Sequence, residues 1–257
     1  MEKVKAEKSW VSKTMLKRML VVWLALILIS ILFYKITVVV IISGILSTLM
    51  LLMILFFSYA YYKLSPGGGD LQSQVSALAT NKIDVKSTGR LLDIGCGSEI
   101  LAVELAVKCP ALKIQGIDYW GSMWGYSKEK CEKLAKDYNV SDRINFERAS
   151  ASSLPFKNES FEIVISNMVF HEVADAKDKR EVIKEALRVL KKGGQFVFQD
   201  LLLSEKLYGK PNDLVRYVKD LSVESVSLEK AKEQISIPYL LNTPMFFRNA
   251  AILSGIK

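Results

Sequence analysis

Residues 19–62 form a run of 44 amino acids with a single charge, Lys35. Two membrane-crossing helices of about 20 residues each would use up such a run. It is too long for the apolar core of a cleaved signal, about 7–15 residues, and no small-residue cleavage pattern interrupts it. The expected arrangement is a transmembrane hairpin, with spans at residues 16–34 and 36–57 and Lys35 in the turn. Lys17 and Arg18 can snorkel at one end, and Tyr59, Tyr61 and Tyr62 suit an interfacial belt at the other. Gly44, Ser47 and Thr48 either form a small-residue face for pairing the two helices or are incidental.

The formal net charge of +8 raises the question of nucleic acid, and its location answers it. Residues 1–18 hold six Lys/Arg against Glu2 and Glu7, whereas residues 64–257 balance 27 basic against 25 acidic side chains. The excess sits beside the apolar run, where it meets anionic headgroups and sets orientation. A basic tail of this kind stays cytoplasmic, and two spans bring the chain back to the same side. Both termini and the folded domain are therefore expected in the cytoplasm of a cell whose membrane the protein spans, and no nucleic-acid footprint is indicated. The three cysteines (Cys96, Cys109, Cys131) show no C-x-x-C spacing, and His171 is the only histidine, so no metal is expected.

Ser65-Pro66-Gly67-Gly68-Gly69 is a breaker cluster. It divides the chain into a basic tail (1–18), two spans (19–62), a linker (63–69) and a soluble domain (70–257). Within that domain short apolar strands alternate with amphipathic helices. Strands are expected at 90–94, 113–118, 144–148, 161–166 and 195–202, with helices at 100–107, around 131–138 and at 179–190. Two last strands are expected at 223–228 and 250–256. The pattern predicts a doubly wound, mostly parallel α/β sheet.

Leu91-Leu92-Asp93-Ile94-Gly95-Cys96-Gly97-Ser98 puts a glycine loop at the carboxyl end of the first strand, where doubly wound folds bind ligands. Asp118 ends the second strand, 25 residues after Asp93, and a carboxylate there can accept hydrogen bonds from both hydroxyls of a ribose. Asp118 alone fits a nicotinamide or an S-adenosyl cofactor. A nicotinamide fingerprint would need glycine at position 100, which is Ile100.

The linked segments Asp93-Ile94-Gly95-Cys96-Gly97, Gly116-Ile117-Asp118, Leu154-Pro155-Phe156 with Ser160-Phe161-Glu162-Ile163-Val164, and Leu187-Arg188-Val189-Leu190-Lys191-Lys192-Gly193-Gly194 closely resemble the class I S-adenosylmethionine-dependent methyltransferases. The nearest look is to the branch with the ubiquinone and menaquinone C-methyltransferases. The resemblance runs from about residue 90 to 202. It implies a Rossmann-like, seven-stranded sheet ending in an antiparallel hairpin, with S-adenosyl-L-methionine as cofactor. It also implies that Asp93, Gly95 and Gly97 hold the methionine part and Asp118 the ribose. Tyr119 would flank the adenine, Ser150 and Ala151 would lie along its edge, and Asn167 would lie close by.

Two positions depart from the pattern: Glu99 stands where the family has a third glycine, and Ser150 where it often has an aspartate. After the fourth strand, Ser166-Asn167-Met168-Val169-Phe170-His171-Glu172 reaches the mouth where an acceptor would sit. His171 or Glu172 would serve there as a general base, or His171 merely packs the loop. The aromatic run at residues 119–126 reads as a lid, an acceptor wall or simple packing. The expected protein is a membrane-anchored methyltransferase acting on a small-molecule or lipid acceptor. Its rivals are a non-catalytic S-adenosylmethionine sensor and a nicotinamide-dependent reductase.

Overall fold

The computed structural model describes residues 9–84, 86–97, 100–121 and 127–257. The chain separates into two compact units, with the break between Ser73 and Gln74.

The first unit holds two long helices, α1 (Lys13–Leu32) and α2 (Thr37–Leu64). Ser12 caps α1, its Oγ accepting from the Thr14 N–H. Both helices are long and apolar enough to cross a membrane, and they leave Leu24, Leu28, Ile41, Ile45 and Leu52 exposed. The two helices are joined by a polar contact within their apolar length. Ser30 Oγ and Ser43 Oγ lie 2.6 Å apart, so one hydroxyl donates to the other, whose own proton goes to a carbonyl of its helix (Leu26 or Val39). Such an interhelical bond contributes about 0.6 kcal/mol, up to ~2. The small-residue face expected at Gly44, Ser47 and Thr48 is not the contact. A Cβ at Gly44 would meet nothing within 4 Å, and Thr48 Oγ1 bonds back to the Gly44 carbonyl.

Helix α2 continues through all three tyrosines to Leu64, seven residues beyond the expected end. The breaker cluster after it is a folded turn. Gly68 N–H and Asp70 N–H both donate to the Ser65 carbonyl, at 3.1 and 3.0 Å. A Cβ at Gly68 would stand 2.0 Å from the Tyr62 carbonyl oxygen, so the close return of the chain admits only glycine. Helix α3 (Leu71–Thr80) begins directly afterwards.

The second unit is built on strands β1 (Gly89–Ile94), β2 (Leu112–Asp118), β3 (Ile144–Arg148), β4 (Phe161–Asn167), β5 (Leu190–Asp200), β6 (Ser225–Lys230) and β7 (Ala251–Ile256). They form one sheet in the order β3-β2-β1-β4-β5-β7-β6. Strands β1 to β5 pair in parallel, and β7 runs antiparallel between β5 and β6. Alternation along each strand feeds two cores. Leu91, Ile114, Ile163, Ile165 and Val197 pack with helices α4 (Ile100–Lys108) and α5 (Lys128–Asp137). On the opposite face Leu92, Val164, Phe196 and Phe198 pack with α6 (Lys179–Val189). Helix α7 (Glu205–Tyr208) and helix α8 (Pro211–Lys219) complete that second layer, the latter burying Leu214 and Val218.

Two segments differ from expectation. Residues 191–194, expected as a turn, belong to β5. Its first residue pairs with Phe161 and the register shifts before Ile163, so the strand absorbs the glycines as an irregularity. Helix α8 follows a proline at its first turn, a start signal that the sequence reading passed over.

Candidate active site

The order of the strands reverses between β1 and β4, so the crevice at the carboxyl ends of these strands is the site the topology provides. The glycine loop opens it. After β1 the chain turns through Gly95 (φ +74°) and Gly97 (φ +53°), left-handed values that cost glycine little. Both the Gly95 and the Cys96 N–H donate to the Ile117 carbonyl, at 2.8 and 2.9 Å, which stitches the loop to the end of β2. Asp93 is buried on the last turn of β1. A Cβ at Gly95 would come within 2.3 Å of Val169, so the loop also packs against the segment after β4. All three cysteines are free and buried. Burial above all pushes the Cys96 thiol up, leaving it neutral and unreactive.

Asp118 joins three of the expected elements. Its Oδ2 accepts from the Gly97 N–H (2.9 Å) and its Oδ1 from the Trp120 N–H (2.6 Å). Its own carbonyl accepts from the Ala149 N–H (3.1 Å), which brings in the segment after β3. Burial raises its pKa, against the backbone hydrogen bonds that lower it. A carboxylate offers about four lone-pair sites, more than these backbone groups fill, so acceptor capacity remains for a ribose hydroxyl. The residues present therefore fit a ribose-bearing cofactor.

Tyr119 is largely exposed, with the Arg148 guanidinium 4.8 Å from its ring centroid. One ring face thus carries a cation, and the other suits a flat base. The Ser150 hydroxyl is already engaged. It donates to Asp175 Oδ2 at 2.9 Å, and Ser152 does so at 2.5 Å. These bonds hold the Asp175 carboxyl below its usual range. Asp175 thus brings a carboxylate beside Ser150. Ala151 is buried beside it. Asn167 ends β4 and donates to Ser76 Oγ of α3 at 3.1 Å, so its amide serves the α3 side of the crevice. Glu99 and residues 122–126 of the aromatic run lie outside the described residues.

The acceptor side contains groups that the sequence did not single out. Chain register sets Gln199 of β5 opposite Asn167. Gln199 is fully buried, and neither atom of its amide has a hydrogen-bonding partner among the described residues. Next to it, Asp200 is buried and organises the 3₁₀ turn Phe170–Glu172. Its Oδ2 accepts from the His171 N–H (3.3 Å), and its Oδ1 lies 2.8 Å from His171 Nδ1. A carboxylate only accepts, so Nδ1 carries the proton and Nε2 keeps its lone pair. Burial opposes protonation of His171, but the charge of Asp200 and the hydrogen bond to it prevail, and the net shift is upward. Burial, then Asp200, push the neighbouring Tyr208 phenol far up, so it stays a neutral hydroxyl. Lys179 donates to the carbonyls of Val173 and Ala176 and so pins the chain that follows. Glu172 Oε1 lies 3.8 Å from His171 Nε2.

Comparison with known proteins agrees with this geometry. Residues 92–198 match the family model described as a methyltransferase domain. The ubiquinone/menaquinone biosynthesis C-methyltransferase of Geotalea daltonii is 33% identical over 120 residues, covering 46% of this chain and 48% of that protein. The 27-O-demethylrifamycin SV methyltransferase of Amycolatopsis mediterranei is 33% identical over 150 residues, covering 58% of this chain and 52% of that protein. The chain thus spans about half the length of these relatives. In fold, it superposes with TM-score 0.54 on geranyl diphosphate methyltransferase, solved with its diphosphate substrate and sinefungin. That match covers 74% of this chain and 79% of that one at 14% identity. The α/β unit has a Rossmann-like fold, and its residues 92–198 are similar to methyltransferase domains.

Proposed function

We propose that this chain, whose residues 92–198 are similar to methyltransferase domains, is a membrane-anchored enzyme that methylates a lipophilic small molecule. The observation that carries the catalytic reading is Asp118. Its carboxylate closes the glycine loop and keeps acceptor capacity for the ribose of S-adenosyl-L-methionine. Asp93, Gly95 and Gly97 would hold the methionine end, Tyr119 the adenine face, and Ser150 with Asp175 and Ala151 its edge. The cofactor supplies a methyl group already activated on a sulfonium.

The rest falls to the protein's own side chains. The sheet edge orients the acceptor, which accounts for much of such a rate. His171 Nε2 takes the proton that the acceptor nucleophile sheds, and Asp200 holds the ring in the required tautomer. Glu172 adds negative charge on the Nε2 side. An oriented base of this kind favours an enzyme over a cofactor-binding sensor. The buried amides of Asn167 and Gln199 suit a polar group carried by an otherwise apolar acceptor.

The domain arrangement we adopt is a basic tail (1–18), two spans (19–62), a linker (63–69) and the methyltransferase domain (70–257). Six residues separate the end of α2 from the start of α3, a stretch that spans at most about 20 Å. So short a connection keeps the domain near the headgroups, beside lipophilic acceptors. Two relatives are named for ubiquinone/menaquinone biosynthesis and for 27-O-demethylrifamycin SV, names that support this reading. Full-length protein in its own membranes, given radiolabelled S-adenosylmethionine, should place label in the organic-solvent fraction. Label confined to water-soluble products would reject the lipophilic acceptor, and no transfer to either fraction would reject the enzyme.

The basic tail sets the orientation, with both termini and the domain cytoplasmic. A cysteine introduced at Lys257 should stay unlabelled by a membrane-impermeant thiol reagent in intact cells and react after lysis. Labelling before lysis would reverse the topology.

A further inference from the structure

The connection between β6 and β7, residues 231–250, carries the most exposed large apolar side chain among the described residues of the α/β unit. Lys230 pairs with Ala251, and Ala251 with Asp200. Both ends of the connection therefore lie at the carboxyl edge of the sheet, the edge that holds Asp118 and His171. The Leu203 N–H donates to the Asn249 carbonyl at 3.0 Å and ties the connection to the chain leaving β5.

The segment is a built scaffold. Leu241 and Phe247 are buried as anchors, and the Phe247 N–H donates to the Leu241 carbonyl at 3.2 Å. Asn242 N–H reaches the Pro238 carbonyl and closes the short helical turn Tyr239–Leu241. Held by this frame, Tyr239 is 89% exposed and Met245 67%, with Leu240 between them at 51%. Apolar groups fixed outward on an ordered turn expose area that burial would stabilise at about 25 cal/mol per Å². Such a cluster marks a contact with another apolar phase.

Charge identifies that phase. From Gln234 to Ala250 the connection has no Asp or Glu, and its Arg248 is exposed. Tyrosine, leucine and methionine on a connection that carries Lys232 and Arg248 against one acid, Glu233 at its start, match the headgroup–acyl boundary of an anionic bilayer. The same chain carries two helices long and apolar enough to cross a membrane, ending six residues before α3. We propose that the β6–β7 connection is a lipid-contacting loop that sets Tyr239, Leu240 and Met245 into the bilayer interface. Its contact turns the mouth of the active site toward the membrane, so that a lipophilic acceptor enters without crossing water. The inference rests on the reading of α1 and α2 as spans.

The test uses the full chain in vesicles of phosphatidylcholine and phosphatidylglycerol. The native cysteines are buried, so a polarity-sensitive fluorophore can be attached at Met245→Cys and, as a control on the opposite sheet edge, at Lys192→Cys. At position 245 emission should shift to the blue, nitroxides on the lipid chains should quench it, and aqueous iodide should not. Position 192 should show the reverse. Extraction with alkaline carbonate, run in parallel, reports on the spans alone. Carbonate-resistant protein whose 245 label is quenched by iodide and not by lipid nitroxide overturns the loop contact and leaves the spans standing. Carbonate release overturns the spans and the inference with them. Shielding at 245 that vanishes on dilution of protein at constant lipid would mean a second copy covers the loop, and it too overturns the proposal.

Discussion

Asp118→Ala should lower affinity for S-adenosylmethionine by two orders of magnitude or more while the domain stays folded. Hydrogen bonds from ribose hydroxyls to a charged acceptor contribute about 1.5–3 kcal/mol each. The substitution also frees the Gly97 and Trp120 N–H groups, both held by this carboxylate, and so loosens the loop that receives the methionine end. Asp118→Asn separates the two effects, since its amide oxygen still accepts one backbone bond but loses the charge. It should fall between wild type and alanine. The pH dependence has a definite sign. Burial raises the Asp118 pKa, and the ribose needs the ionised form. Affinity should therefore decline on acidification from a higher pH than an ordinary aspartate, near 3.9, would impose. Calorimetric titration checks all three statements. Wild-type affinity in Asp118→Ala would remove the ribose assignment.

This half of the site was legible because its parts are local. Asp93, Gly95 and Gly97 lie on one strand-to-loop junction, and Asp118 ends the next strand. Each sits where a short apolar run meets a glycine or a carboxylate, and the topology alone brings those junctions to one edge. The acceptor half depends on long-range register. Gln199 and Asp200 matter because β5 pairs with β4 in the frame that sets Asn167 beside Gln199. Nothing in the string Phe198-Gln199-Asp200 announces that frame, although a glutamine and an aspartate ending an apolar strand are signals that could have been read. The carboxylate that serves Ser150 comes from Asp175, beyond an entire strand and turn. The breaker cluster at residues 65–69 shows the opposite limit. Its composition marks the end of α2, but the hydrogen bonds to Ser65 that make it a folded turn are geometry, which composition does not carry.

Register also gives the second large effect its physical basis. Asp200→Asn should slow methyl transfer about 10²–10⁴-fold, the usual contribution of general-base catalysis, with S-adenosylmethionine affinity unchanged. An amide facing Nδ1 can donate to it, which moves the ring proton to Nε2 and leaves the acceptor without a base. The variant should also shift the pH profile. In wild type, burial opposes protonation of His171 but Asp200 outweighs it, and the pKa is raised. The rate should climb as pH rises through that raised value, because only neutral imidazole accepts a proton. Removing the charge leaves burial dominant, so the residual activity of Asp200→Asn should climb at lower pH than wild type. Stability carries the matching sign. A His whose folded pKa exceeds its unfolded value of about 6.5 stabilises fully below that pH and loses the contribution as pH rises through the folded pKa. Melting of wild type should thus show a pH-dependent increment at mildly acidic pH that His171→Gln lacks. His171→Gln should lose rate as Asp200→Asn does, and by a similar factor, since the two act as one unit. Wild-type turnover in His171→Gln, or an unshifted profile in Asp200→Asn, would return the pair to a packing role at the end of β5.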